Sequence, residues 1–175
     1  IALSTDKASS PINLYGASKL TSDKLFTNAN NYLGKSKTIF SVVRYGNVMG
    51  SKGSIIPIFI NQFKNNQKLR VTDKKMTRFN ITLGHSVKFV DSVYRKMFGG
   101  EVFVPKLKSY KILDLAAAIS EDYPVVFTGI RPGEKIDEEM ISEDESLNTL
   151  EFKDFYIIMP SSSYSEKNKL FFMKR

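Results

Sequence analysis

The apolar positions of this chain fall into short runs with strand-like composition, separated by longer stretches with helical spacing. Ile1-Ala2-Leu3-Ser4 predicts a strand that ends in the turn Thr5-Asp6-Lys7. From about Asn13 to Tyr32 the spacing predicts a helix, and the β-branched and aromatic run Thr38 to Tyr45, stopped by Gly46-Asn47, predicts a second strand. Strand, helix and strand in that order form a βαβ unit. Such a unit places both strands parallel in one sheet and gathers ligands at their carboxyl ends, where Thr5 to Lys7 and Tyr45 to Asn47 stand.

Further along, Ile55 to Asn65 reads as a helix, Leu69 to Thr72 and Phe79 to Leu83 as short strands, and Ser86 to Phe98 as a long amphipathic helix. Val102 to Val104 reads as a buried strand, Lys111 to Ile119 as a helix and Pro124 to Thr128 as a strand. Gly99-Gly100, Gly129 and Pro132-Gly133 mark turns between these elements. From Ser161 onward, serines followed by lysines and asparagines predict a loose tail. No internal repeat is visible.

Composition narrows the possible chemistry. The 175 residues are 42% hydrophobic and 25% charged, enough for a sizeable core in a soluble domain. No apolar run approaches the roughly 18 residues a bilayer span needs, so no membrane contact is expected of this segment. The absence of cysteine excludes disulfides and thiolate metal sites, and a single histidine, His85, leaves too few ligands for zinc. His85 is expected at the surface near a helix start. The net charge of +8 suggests anionic partners, but the lysines are scattered with no aromatic-interleaved basic stripe. That pattern argues against nucleic acid and fits a phosphorylated small molecule.

Tyr15 and Lys19, in the run YGASK, stand at i and i+4 and share one face of the predicted helix. There the ammonium can favour the tyrosinate form of the phenol. The spacing is common by chance, so its weight comes from its place after a strand and a hydroxyl-bearing turn. Asp6-Lys7 puts an acid and a potential base in that turn.

Thr5, Tyr15 and Lys19 resemble the Ser/Thr, Tyr, Lys triad of the extended short-chain dehydrogenase/reductases. Six ordered blocks resemble, more closely, the inverting UDP-N-acetylglucosamine 4,6-dehydratases of bacterial polysaccharide biosynthesis. They are STDKA with PINLYGASKL, RYGNVMGSKGSIIP, MTRFNITL, GGEVFVPK and GIRPGEKIDEEMIS, and they run from Ile1 to about Pro160. The pattern departs where Lys52, Leu107 and Asp137 replace the family's usual Arg, Pro and His.

The resemblance implies an α/β fold, namely the C-terminal part of a Rossmann-like doubly wound parallel sheet plus a small α/β substrate-binding subdomain. Residues 1–50 would belong to the NADP-binding domain, 51–160 mainly to the substrate subdomain with segments returning to the sheet, and 161–175 to the tail. It also implies catalytic roles for Thr5, Asp6, Lys7, Tyr15 and Lys19. Tyr15, Lys19 and Tyr45 would contact the NADP cofactor, and Asn47, Arg78, Arg131 and Glu134 the UDP-sugar. By analogy Lys7 is the base at C5 and Asp6 the acid at the C6 hydroxyl. A lysine base requires a neutral amine, which burial or neighbouring positive charge favours. A cytoplasmic homo-oligomer, dimer or hexamer, is the expected assembly, and capsule, lipopolysaccharide and flagellin glycans all use such sugars.

No glycine-rich strand-to-helix turn of the dinucleotide-binding kind occurs in the sequence. The chain therefore reads as the C-terminal half of a larger enzyme, expected to bind NADP poorly by itself. Two other readings compete: another nucleotide-sugar epimerase or dehydratase of the same superfamily, and an inactive fragment retained as an interaction module.

Overall fold

A computed structural model describes residues 1–160 of the chain; the expected tail, 161–175, lies outside the described residues. In chain order the elements are β1 (Ala2–Thr5), α1 (Leu14–Ala29), β2 (Val42–Tyr45), β3 (Asn47–Val48), α2 (Ile55–Lys64), β4 (Leu69–Val71) and β5 (Thr77–Ile81). There follow α3 (Leu83–Tyr94), β6 (Val102–Pro105), β7 (Ser109–Lys111), α4 (Ile112–Ile119), β8 (Val125–Phe127), α5 (Glu143–Ser146), β9 (Thr149–Glu151) and β10 (Phe155–Ile158). Single 3-10 turns cover Asp6–Ala8 and Asn30–Tyr32. The chain divides into two compact units.

The first unit comprises Ile1–Tyr45, Val87–Lys106 and residues 139–160. Its sheet has the order β1-β2-β6-β10-β9, in which β1, β2 and β6 are parallel. The expected βαβ crossover is therefore present, with Thr5 opposite Tyr45 at the carboxyl ends of its two strands. Val43, Phe103 and Ile157 are fully buried beside Phe89 and Val93 of α3, each worth about 1.5–3 kcal/mol of burial.

In this unit α3 ends at Tyr94 rather than Phe98, α1 ends at Ala29 rather than Tyr32, α5 forms where no element is expected, and the sheet differs from the sequence-based expectation in two ways. The second strand begins at Val42, not Thr38. Asn30 binds the residue where the ladder would extend: its side chain accepts from the Phe40 N–H at 2.9 Å, taking that donor, and donates at 2.8 Å to the Phe40 carbonyl, which also accepts from the Gly100 N–H at 2.7 Å. In addition, β10 pairs antiparallel with β6 and β9 antiparallel with β10, so two strands extend the sheet where the pattern predicts no element.

The second unit comprises Gly46–Ser86 and Leu107–Glu138. It holds a three-stranded sheet, β3-β5-β7, and the parallel pair β4-β8. Phe59, Leu69, Val71, Met76, Ile112 and Ala116 form its core. Pro57 lies in the first turn of α2, behind the Ser54 N-cap, where its missing N–H costs no helical bond. Gly46 is required by a close approach: a Cβ there would stand 2.6 Å from Phe79 Cβ. Among the described residues no helix is long and apolar enough to cross a membrane.

Candidate active site

The turn after β1 is built around one carboxylate. Thr5 caps the 3-10 turn with its hydroxyl oxygen, which accepts weakly from the Lys7 N–H at 3.4 Å. The same hydroxyl donates to Asp6 Oδ1 at 2.7 Å, and Lys7 Nζ donates to that oxygen at 3.0 Å. Asp6 is fully buried, whereas the Lys7 side chain is 29% exposed. Asp6 Oδ2 is also buried and has no hydrogen-bond partner. One carboxylate oxygen thus binds the hydroxyl and the ammonium together, and its twin is left with open lone pairs. A buried acceptor left unpaired costs about 1–3 kcal/mol, which makes it a candidate site for a proton or a substrate hydroxyl.

Helix α1 meets this turn through Gly16. Asn13 caps the helix by accepting from the Gly16 N–H at 2.8 Å. A Cβ on Gly16 would collide with the Lys7 carbonyl oxygen and stand 2.9 Å from Pro11 Cβ. The glycine within YGASK therefore lets the helix bearing Tyr15 and Lys19 touch the backbone of the turn at Lys7. Tyr15, next to that contact, is 53% exposed, and Lys19 one turn on is half-buried. Tyr45 is half-buried opposite Thr5, and burial pushes its phenol above the ordinary range.

Behind α1 lies a group of residues that sequence reasoning did not single out. Arg44 of β2, 1% exposed, donates from Nη2 to Asp23 Oδ2 of α1 at 3.1 Å. Its two terminal nitrogens also grip Glu145 at 2.7 and 3.0 Å, and Nη1 reaches the Met140 carbonyl at 3.1 Å. Glu145 completes a capping box with Ser142 at the start of α5. Burial pushes the Asp23 carboxyl up, against the opposing hydrogen bonds and charge of Ser4 and Arg44, and leaves it above the ordinary range. Burial would raise Glu145 too, but its hydrogen bonds and ion pair with Arg44 prevail and hold it below that range. The clue in the sequence is an arginine inside an apolar strand.

The remaining expected residues belong to the second unit. Asn47 begins β3, half-buried and in register with Asn80 of β5. Arg78, on β5, is 8% exposed, whereas Arg131 is exposed in the loop after β8. Glu134, half-buried, lies 3.8 Å from Arg78 Nη2 and accepts from the Thr72 hydroxyl at 3.4 Å. Asp137 accepts from the Thr77 hydroxyl at 2.5 Å. His85 is exposed in the first turn of α3. Among the described residues, no cluster of three or more His, Cys, Asp or Glu could hold a metal ion.

The profile of the polysaccharide biosynthesis protein family matches residues 1–160. The chain belongs to that family. An inverting UDP-N-acetylglucosamine 4,6-dehydratase of Campylobacter jejuni is 52% identical over 172 residues, which cover 98% of this chain and 52% of that protein. A UDP-glucose 4-epimerase of Rickettsia bellii is 40% identical over 162 residues, covering 90% and 48%. The chain spans about half the length of the curated relatives it matches. Among solved structures, Pen from Bacillus thuringiensis superposes with a TM-score of 0.84 at 41% identity, over 91% of this chain and 52% of that one. The dTDP-glucose 4,6-dehydratase DesIV from Streptomyces venezuelae, solved with NAD, shares the fold at 18% identity, with a TM-score of 0.68 over 79% and 50%. The α/β architecture is therefore that of the Rossmann-fold nucleotide-sugar dehydratases and epimerases.

Proposed function

We propose that the protein carrying this chain is a 4,6-dehydratase that converts UDP-N-acetylglucosamine to a UDP-4-keto-6-deoxy sugar with inversion at C5, for bacterial surface-glycan biosynthesis. The observation that carries this reading is the Asp6–Lys7 contact at 3.0 Å, on a turn that also holds Thr5. An alcohol oxidation needs no such pair. An elimination needs both an acid and a base.

A nicotinamide cofactor, when bound, takes up and returns a hydride. In this reading it is NADP, held from this chain by Tyr15, Lys19 and Tyr45. Tyr15, exposed, and Lys19, half-buried, on one face of α1, suit a ribose and a reacting hydroxyl. Tyr15 takes the proton of the C4 hydroxyl, and Thr5 turns its hydroxyl from Asp6 to the C4 oxygen. The resulting C4 ketone acidifies the C5 hydrogen, bringing it within reach of a side-chain base.

Moving one proton from Lys7 Nζ to Asp6 yields a neutral amine and a carboxylic acid together. Lys7 then removes the C5 proton while Asp6 protonates the C6 hydroxyl, which leaves as water. The pair ends as ammonium and carboxylate, its resting form. The hydride returns to C6, and C5 is protonated from the opposite face through solvent, the proton that Tyr15 took from the C4 hydroxyl being released in exchange. Tyr15, Lys7 and Asp6 thus all end in their starting forms, and the inverted 4-keto-6-deoxy product is complete. Asn47 and Arg131 supply the contacts to the sugar and diphosphate, Arg131 by its planar fork. A homo-oligomer, dimer or hexamer, is part of the same reading; Leu14 and Leu25, 86% and 66% exposed on α1, offer it an apolar surface.

The test is product analysis by NMR, with the complete protein, UDP-N-acetylglucosamine and either NADP or NAD. A C6 methyl signal with inverted C5 is expected, at the higher rate with NADP. The Rickettsia relatives favour a second reading, epimerisation at C4. A C4 epimer with its C6 hydroxyl intact would establish that reading and refute dehydration.

A further inference from the structure

Arg78 spends its terminal amino groups on backbone. Nη1 donates to the Thr77 carbonyl at 2.6 Å and the Ile136 carbonyl at 2.9 Å, and Nη2 donates to the Lys135 carbonyl at 3.0 Å. Nη2 also faces Glu134 Oε1 at 3.8 Å. The guanidinium, about 90% buried, thus closes over successive residues of the segment that follows Arg131. Other bonds fasten the same segment. The Thr77 N–H donates to the Ile136 carbonyl at 3.1 Å, and the Thr77 hydroxyl holds Asp137. At the other end the Glu134 N–H donates to the Arg131 carbonyl at 3.1 Å, and the Arg131 N–H donates back to Glu134 Oε2 at 3.4 Å. Glu134 is thereby shared among Arg78, Thr72 and the backbone of Arg131.

These contacts give the two arginines different duties. A guanidinium already committed to three carbonyls has little left for two phosphate oxygens, since its five N–H groups lie in one rigid plane. Arg131 is exposed, and its own backbone is what the clasp fixes. We propose that Arg78 and Glu134 are positioning residues: they lock the 131–137 loop so that Arg131 alone presents its guanidinium to the diphosphate of the nucleotide ligand. The identity of that ligand rests on the proposed function; the clasp itself does not.

Two measurements on the complete protein separate these points. Hydrogen exchange without ligand reads the clasp directly, because Glu134 N–H and Thr77 N–H are bonds it protects. Arg78→Lys keeps a positive charge near Glu134 but cannot cover three carbonyls. Faster exchange across 131–137 in Arg78→Lys, with the core strands unchanged, is expected; unchanged exchange there overturns the clasp.

The second measurement is a double-mutant cycle on UDP affinity by calorimetry, using Arg78→Lys, Arg131→Ala and the pair. Each single variant should bind UDP on the order of tenfold more weakly or worse, as when a charge-assisted phosphate contact is lost. The double variant should be no weaker than Arg131→Ala alone. Additive losses would make Arg78 a direct phosphate ligand and overturn the positioning role. Failure of the unsubstituted protein to bind UDP would refute the proposed ligand and the assignment of Arg131, while the exchange result still decides the clasp.

Discussion

Replacing Arg44 with methionine should destabilise the first unit more than any exposed substitution in it. The side chain is 1% exposed and is bonded to Asp23, Glu145 and the Met140 carbonyl at 2.7 to 3.1 Å. Methionine fills much of the volume but leaves Asp23, 2% exposed, without its counter-charge. Removing one partner of a buried ion pair costs about 3–5 kcal/mol, a large share of the 5–15 kcal/mol a whole domain typically has. With a urea m-value of about 2 kcal/mol/M, a loss of about 4 kcal/mol lowers the unfolding midpoint by about 2 M, readable by far-UV circular dichroism. Because the penalty arises from stranded charge, the triple variant Arg44→Met, Asp23→Asn, Glu145→Gln should recover more than half of it. A midpoint shift below about 0.5 M for Arg44→Met, or a triple variant no more stable than the single, would refute the reasoning.

Three further outcomes follow from the same geometry. Glu145 is held below the ordinary carboxylate range, so its contribution is present above its unfolded pKa and lost as pH falls through its folded one. Urea midpoints of the unsubstituted protein should therefore fall on acidification below the usual glutamate range, and Glu145→Gln should flatten that limb; identical acid limbs would contradict the assignment. Asp23 is raised and has the opposite sign, its contribution being present below its unfolded pKa and lost as pH rises through its folded one, so at neutral pH Asp23→Asn should cost less stability than Glu145→Gln. Gly16→Ala forces α1 away from the Lys7 carbonyl and Pro11; a loss of about 1–3 kcal/mol in stability and about 100-fold in turnover is expected, and normal turnover in a steady-state assay would contradict it.

The first crossover was legible in the sequence because local signals agreed with the fold. The Ile1 to Ser4 run, the Asn13 cap and the β-branched residues before Gly46 each point to the element that forms. The start of the second strand was not legible, since it depends on Asn30 reaching Phe40 ten residues away. Strands β9 and β10 are separated by only a few residues, and Phe155-Tyr156-Ile157-Ile158 is the signal that could have located the second of them. For the candidate site, it was the resemblance of the ordered motif blocks, not spacing alone, that pointed to Thr5, Asp6, Lys7, Tyr15 and Lys19. The blocks gave no account of Gly16, whose role is steric, or of Arg44, whose partners lie 21 and 101 positions away. Likewise the motifs that name Arg78 and Arg131 are equal in sequence, and only the three carbonyls around Arg78 separate them.

The central claim, that Asp6 and Lys7 form an elimination pair, is tested most directly by Lys7→Ala in the complete protein, incubated with UDP-N-acetylglucosamine and cofactor in deuterium oxide. Cofactor reduction, followed by absorbance, should persist because Tyr15 and Lys19 are untouched. Deuterium incorporation at C5 and the C6 methyl signal should fall by about 10²–10⁴-fold, the usual contribution of a positioned general base. C5 exchange at the unsubstituted rate would contradict the account.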